Sequence, residues 1–149
     1  MNSEYKQKLE YFCAYQERCH SEVLQKMMDL NVPYAERDEI MVHLIEHNFL
    51  NETRFAQSFA RGKHSIKKWG RNRIVNELKF RKISSHNIQL ALKEIPEDAY
   101  EVTFLELAQK QWQSVTEKNI LKKKKKVADF LLRKGYESQW IYDFINQQE

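Results

Sequence analysis

The chain has 149 residues, 25 of them Lys or Arg and 21 Asp or Glu, for a formal net charge of +4. With 3 glycines and 2 prolines, tight turns are scarce and helices are favoured. No apolar stretch reaches membrane-spanning length, the start lacks a basic-then-apolar leader, and the two cysteines have no metal-type spacing, so a cytoplasmic protein without membrane association is expected.

Helical periodicity runs through the sequence, and no alternating strand pattern interrupts it. A first helix is predicted around residues 5–18. A helical pair follows, with Val23 and Met27, a turn at Asn31 and Val32, then Ile40 and Leu44. The turn of this pair reads as three residues longer than its counterparts, and it contains Pro33, which cannot continue a helix. After Phe49-Leu50 and a polar turn, a helix over about 52–63 puts Phe55 and Phe59 on one face. The second pair has Ile74 and Leu78, a turn at Lys82 and Ile83, then Ile88 and Leu92. A helix over about 97–113 starts after Pro96, with Glu97 and Asp98 at the positive end of its dipole. Tyr100, Phe104, Leu107, Ala108 and Trp112 form its apolar stripe. The last pair has Val127 and Leu131, a turn at Gly135 and Tyr136, then Ile141 and Ile145. Asn31, Lys82 and Gly135 hold equivalent places, where glycine suits a left-handed cap and asparagine tolerates one.

The expected fold is therefore all-α: three tandem three-helix, helix-turn-helix-like repeats over 1–50, 51–95 and 96–149. Modules of this size are too small for large separate cores, so they should touch in an elongated, curved array. Lys122, Lys123, Lys124, Lys125 and Lys126 support the phasing. At 100° per residue five successive lysines encircle a helix, so this turn must stand clear of the core and packing should begin at Val127.

Charge is segregated. Residues 1–56 hold 6 Lys+Arg against 10 Asp+Glu, residues 57–95 hold 10 against 2, and residues 96–149 hold 9 against 9. The basic middle points to a polyanionic partner or an acidic protein surface. Candidate contacts are Arg54, Arg61, Lys63, Lys67, Lys68, Arg71, Arg73, Lys79, Arg81 and Lys82, with the lysine run as a second candidate. The competing reading is solvated helix faces and a flexible loop, with Trp69 packed at a module junction. An acidic module beside a basic one suits docking along another protein, because both signs set orientation.

No phosphate-binding glycine loop, dinucleotide turn or nucleophile constellation is present, so no catalytic, cofactor or metal residue is assigned and no enzyme is expected. His43-Leu44-Ile45-Glu46-His47 matches a short zinc-peptidase pattern, but Leu44 and Ile45 belong to the core stripe and the match reads as chance. The helix over 85–95 is nearly uncharged, which argues against sequence-specific reading of a DNA groove.

The stretch Asn48-Phe49-Leu50-Asn51-Glu52-Thr53-Arg54-Phe55-Ala56, then Gly70-Arg71-Asn72-Arg73-Ile74 through Leu78, resembles the RecX family. Cys19-His20-Ser21-Glu22-Val23 and Leu131-Leu132-Arg133-Lys134-Gly135-Tyr136 resemble its flanking motifs, so the likeness covers nearly the whole chain. Glu52 stands for the family's usual Asp, Asn48 for Gly, Cys19 for a helix-capping Ser and Lys134 for Arg. A thiol caps poorly, so either the helix start moves to Ser21 or a cap worth about 1 kcal/mol is lost. The resemblance implies a small non-enzymatic regulator of the RecA recombinase. It implies binding in the groove of the RecA–DNA filament, with blocked extension or faster disassembly and lower ATP turnover and LexA co-cleavage. A monomer is expected, with weak, non-specific contact to single- or double-stranded DNA. The alternative is a sequence-tolerant DNA-binding module acting without RecA.

Overall fold

The computed structural model describes residues 2–148. These form α1 (Asn2–Tyr15), α2 (His20–Asp29), α3 (Tyr34–Glu46), α4 (Glu52–Ser65), α5 (Arg71–Phe80), α6 (Ser85–Leu92), α7 (Glu97–Ser114), α8 (Ile120–Lys134) and α9 (Ser138–Asn146), with no strand among the described residues. The chain is all-α, three helices followed by three and by three again.

The second helix of each triple ends in the same way. The Val32, Ile83 and Tyr136 N–H groups donate to the Met27, Leu78 and Leu131 carbonyls at 2.9, 3.1 and 3.2 Å. The Asn31, Lys82 and Gly135 N–H groups donate to the Met28, Lys79 and Leu132 carbonyls at 3.0, 2.9 and 3.0 Å. This is the Schellman arrangement, which satisfies the last carbonyls and needs a left-handed residue. Asn31, Lys82 and Gly135 supply it with φ of 58°, 61° and 101°. Lysine is the poorest of the three there, because its Cβ crowds the carbonyl. Lys82→Gly is expected to stabilise the fold by about 0.5–1 kcal/mol, the relief of strain exceeding glycine's added chain entropy. Urea unfolding checks this; a midpoint lower than that of the parent would contradict it.

The expected long turn is absent. α3, α6 and α9 all begin three residues after their left-handed residue, and the extra residues lie inside α3, which has 13 residues against 8 and 9. Pro33 directly precedes α3, where a missing N–H costs nothing, so it does not extend the turn and the extra residues join the helix. At the other extreme α1 stops at Tyr15, short of the expected Arg18.

Burial divides unevenly among the triples. Leu9, Val23, Met27, Val32, Ile40 and Leu44 close a core within α1–α3. Residues of α4–α6 and α7–α9 share one larger core, including Phe55, Ile74, Leu78, Tyr100, Phe104, Leu131 and Tyr136. Cys19, just before α2, belongs to that second core. As expected, α8 becomes buried from Val127 onward.

Candidate functional site

The motif residues build two junctions. At the first, Asn51 caps α4, its side-chain oxygen accepting the Arg54 N–H at 3.0 Å. Glu52 reaches across to accept the His20 N–H at 3.0 Å, and Glu22 accepts the Cys19 N–H at 3.0 Å. These carboxylates hold the start of α2 that the Cys19 thiol caps poorly. The helix therefore begins at His20 without moving to Ser21, and the buried Cys19 thiol lies 3.2 Å from the Ser21 hydroxyl. Arg54 donates to Glu17 at 2.5 Å and to the carbonyls of Asn48 and Phe49 at 3.0 and 3.3 Å.

At the second junction the start of α5 meets the turn between α8 and α9. The Gly70 N–H donates to the Lys134 carbonyl at 2.7 Å, and the Asn72 N–H to the Gly135 carbonyl at 2.9 Å. Arg71 lies over the Tyr100 ring, 3.8 Å from its centroid, and pairs with Glu137 at 2.8 Å and with Glu97. Desolvation works against the Arg71 charge, but Glu137 and Glu97 outweigh it and raise its pKa. The Tyr100 hydroxyl accepts the Arg71 N–H at 3.0 Å and donates to Glu137 at 2.5 Å. His64, buried, stacks on Tyr100 with its Nδ1–H donating to the Trp69 carbonyl at 3.0 Å.

The predicted basic residues thus divide. Arg54 and Arg71 are ties between triples, Arg61 pairs with Glu94 at 2.6 Å, and Arg81 pairs with Glu77 at 3.1 Å. Lys63, Lys67, Lys68, Arg73, Lys79 and Lys82 form no ion pair among the described residues. Two of them, Lys63 and Arg73, lie over Trp69, whose indole packs edge-on against Phe59. Lys63 lies 5.0 Å and Arg73 4.2 Å from the Trp69 ring. Lys134 joins them from the end of α8, its ammonium donating to the Lys67 carbonyl at 3.0 Å. Burial, Arg73 and Lys67 together lower its pKa. Lys134 lies outside the residues the sequence nominates, since nothing local indicates contact with a residue 67 positions away.

The loop over residues 66–70 is held at several points. Lys68 takes φ of 62°, and its carbonyl accepts the Tyr136 hydroxyl at 2.8 Å. Ile66 beside it is 76 % exposed. In the lysine run Lys123 lies over Trp112 at 4.4 Å, Lys125 pairs with Asp129 and Lys126 with Glu117. Lys122 and Lys124 form no ion pair among the described residues. His43 bonds Glu10 at 2.6 Å while His47 turns its Nδ1 to the His43 carbonyl, so the zinc-like pattern is engaged in helix contacts. No cluster of three or more metal-ligating side chains forms among the described residues, and none of their helices is long and apolar enough to cross a membrane.

Burial pushes the Cys13 thiol up to about 11 and raises the Tyr100 and Tyr136 hydroxyls above the ordinary tyrosine range. All three hold their protons longer when folded, so the unfolded chain releases protons first and stability falls with rising pH. The loss should begin near pH ~8.5 with Cys13 and steepen past about 10 with the tyrosines, Lys134 opposing it weakly. Urea midpoints from pH 7 to 11 check this; a flat profile would contradict it.

Comparison with known proteins agrees with this architecture. Residues 51–92 match the RecX second three-helix domain and residues 99–145 the third. The regulatory protein RecX of Vibrio campbellii is 30% identical over 115 residues, covering 77% of this chain and 72% of the relative. A crystal structure of regulatory protein RecX aligns with a TM-score of 0.86 at 20% identity, covering 99% of this chain and 72% of the other. That of RecX from Lactobacillus salivarius aligns with 0.82 at 24% identity, covering 98% and 94%. These two likenesses speak to the fold, and the Vibrio relative with the two domain matches speaks to descent: the chain belongs to the RecX family.

Proposed function

We propose that this chain is a non-enzymatic regulator that mainly inhibits the RecA recombinase in the cytoplasm. As a monomer of three modules, 1–50, 51–95 and 96–149, it lies as a curved array in the groove of the RecA–DNA filament and bridges adjacent protomers. It blocks extension or favours disassembly, lowering recombination, ATP turnover and LexA co-cleavage. ATP belongs to RecA, and this chain needs no cofactor. What supports the reading most is RecX-family membership, joined to Lys63 and Arg73 over Trp69, which have no acidic partner among the described residues. Lys63, Lys67, Lys68, Arg73, Lys79, Lys82 and Lys134 are the proposed contacts to filament phosphates or acidic filament surface, with the run from Lys122 as a second contact. Arg54 and Arg71 serve by tying the triples together, and Arg61 and Arg81 are held in ion pairs within the second triple.

The test is the single-stranded-DNA-dependent ATPase of the cognate RecA, titrated with this protein before and after filament assembly. Inhibition well below one molecule per RecA, not relieved by surplus DNA, is expected. Joint replacement of Lys67, Lys68 and Lys79 by Glu should weaken inhibition by about tenfold or more at unchanged melting temperature, as loss of several charge contacts requires. No inhibition, or inhibition removed by surplus DNA, would favour a DNA-coating module acting without RecA.

A further inference from the structure

The first triple carries a groove of about 510 Å³ between α1 and α2, outside every residue nominated above. Phe12 and Leu30 contribute apolar surface to it, and Tyr11 and Tyr15 stand on its rim at 71 % and 72 % exposure. The two tyrosine rings lie one helical turn apart, with centroids 6.3 Å from one another. Neither is needed by the core, which α1 serves through Leu9 and Cys13.

The groove is locally positive inside an acidic module. Its charged lining is Lys8, Arg18 and Lys26, with no Asp or Glu. Glu4 pairs with Lys8 of the lining, which leaves Arg18 and Lys26 as its free charge, while Glu10 is engaged with His43 and Glu17 with Arg54. Glu22 of α2 is turned to the Cys19 N–H, and Asp29 accepts from Gln25. Arg18 lies over the Phe12 ring, its guanidinium carbon 3.7 Å from the centroid, and spends only its Nε–H, on the Phe12 carbonyl at 2.9 Å. Lys26 shares that ring at 5.5 Å, and neither cation has an acidic partner among the described residues.

Flat exposed rings beside unpaired cations are the two components of sequence-tolerant single-strand recognition, in which bases stack and phosphates are tracked by charge. We propose that the α1–α2 groove binds single-stranded nucleic acid, with bases on Tyr11 and Tyr15 and phosphates at Arg18 and Lys26. An acidic peptide would use the charges but gain less from two bare ring faces. This site is separate from the Trp69 cluster and does not rest on the RecA reading.

The test uses the full chain and fluorescein-labelled oligothymidylate of eight nucleotides in an anisotropy titration without RecA. Tyr11→Ala/Tyr15→Ala should cut affinity about tenfold or more, because each lost stack alone weakens binding severalfold. The exposure of both rings predicts an unchanged melting temperature, and Lys26→Glu should also weaken binding. Bromodeoxyuridine in the same oligonucleotide should cross-link to the peptide holding Tyr11 and Tyr15. Absent binding, full affinity in the tyrosine variant, or cross-links only near Trp69 would overturn the proposal. So would tighter binding of a labelled Asp-Phe repeat peptide than of the oligonucleotide, which would make the occupant an acidic peptide. RecA inhibition surviving in the tyrosine variant would leave the filament reading intact even then.

Discussion

Gly70→Ala is expected to separate the start of α5 from the turn between α8 and α9. A Cβ on Gly70 would stand 2.4 Å from the Gly135 carbonyl carbon and oxygen and 2.5 Å from the Tyr136 nitrogen. These are backbone atoms on both sides, so no side chain can swing aside. The two segments must part, and the Gly70-to-Lys134 and Asn72-to-Gly135 hydrogen bonds go with them. The cost is about 3 kcal/mol or more, overpacking added to lost buried hydrogen bonds. Gly135→Ala meets the same wall from the other side: its Cβ would lie 2.4 Å from the Arg73 Cβ, at a φ of 101° that alanine resists. Urea unfolding measures both. A loss below roughly 1 kcal/mol for Gly70→Ala would mean that the junction yields easily, against the usual behaviour of close-packed interiors. Because Lys134 reaches the Trp69 cluster from this same turn, both variants should also weaken the proposed RecA inhibition at temperatures where they remain folded.

Glu137→Ala is expected to destabilise by about 2–4 kcal/mol, because it strands two partners at once. The Arg71 guanidinium loses its better shielded carboxylate, leaving Glu97, which is mostly exposed. The Tyr100 hydroxyl, in a fully buried residue, loses its acceptor. Tyr100→Phe should cost less: it removes the donor to Glu137 and the acceptor of the Arg71 N–H but leaves the Glu137–Arg71 ion pair. In the double variant the losses should fall short of additive by about 1 kcal/mol or more, since the residues share one network. Additive losses would mean that Tyr100 and Glu137 act independently. Glu137→Gln, which keeps an acceptor but not the charge, should fall between the parent and Glu137→Ala.

These junctions explain why most of the motif residues that carry the family likeness, Arg73 and Lys134 excepted, lie outside the proposed contact surface. Asn51, Glu52 and Arg54 tie α4 to the first triple, and Gly70 and Arg71 tie α5 to the third. Their identities are set by capping and close approach between helices. The cations left over are those that no carboxylate among the described residues claims.

Local physics was enough for the sequence to determine the helices, the three-fold recurrence and the left-handed turns. Apolar spacing at i and i+4 placed Val23 and Met27, Ile74 and Leu78, and Val127 and Leu131 inward, and all six are buried. The lysine run marked where α8 leaves solvent, since no buried turn accepts five charges in succession. Tertiary structure alone decided which charges are spent. Lys67 and Lys134 are neighbours across 67 positions, and Arg71 and Glu137 across 66. Helical periodicity carries information over a few turns, whereas ion pairing depends on how triples dock. That docking rests on the absence of a Cβ at Gly70 and Gly135, which sequence spacing reveals only as two glycines far apart.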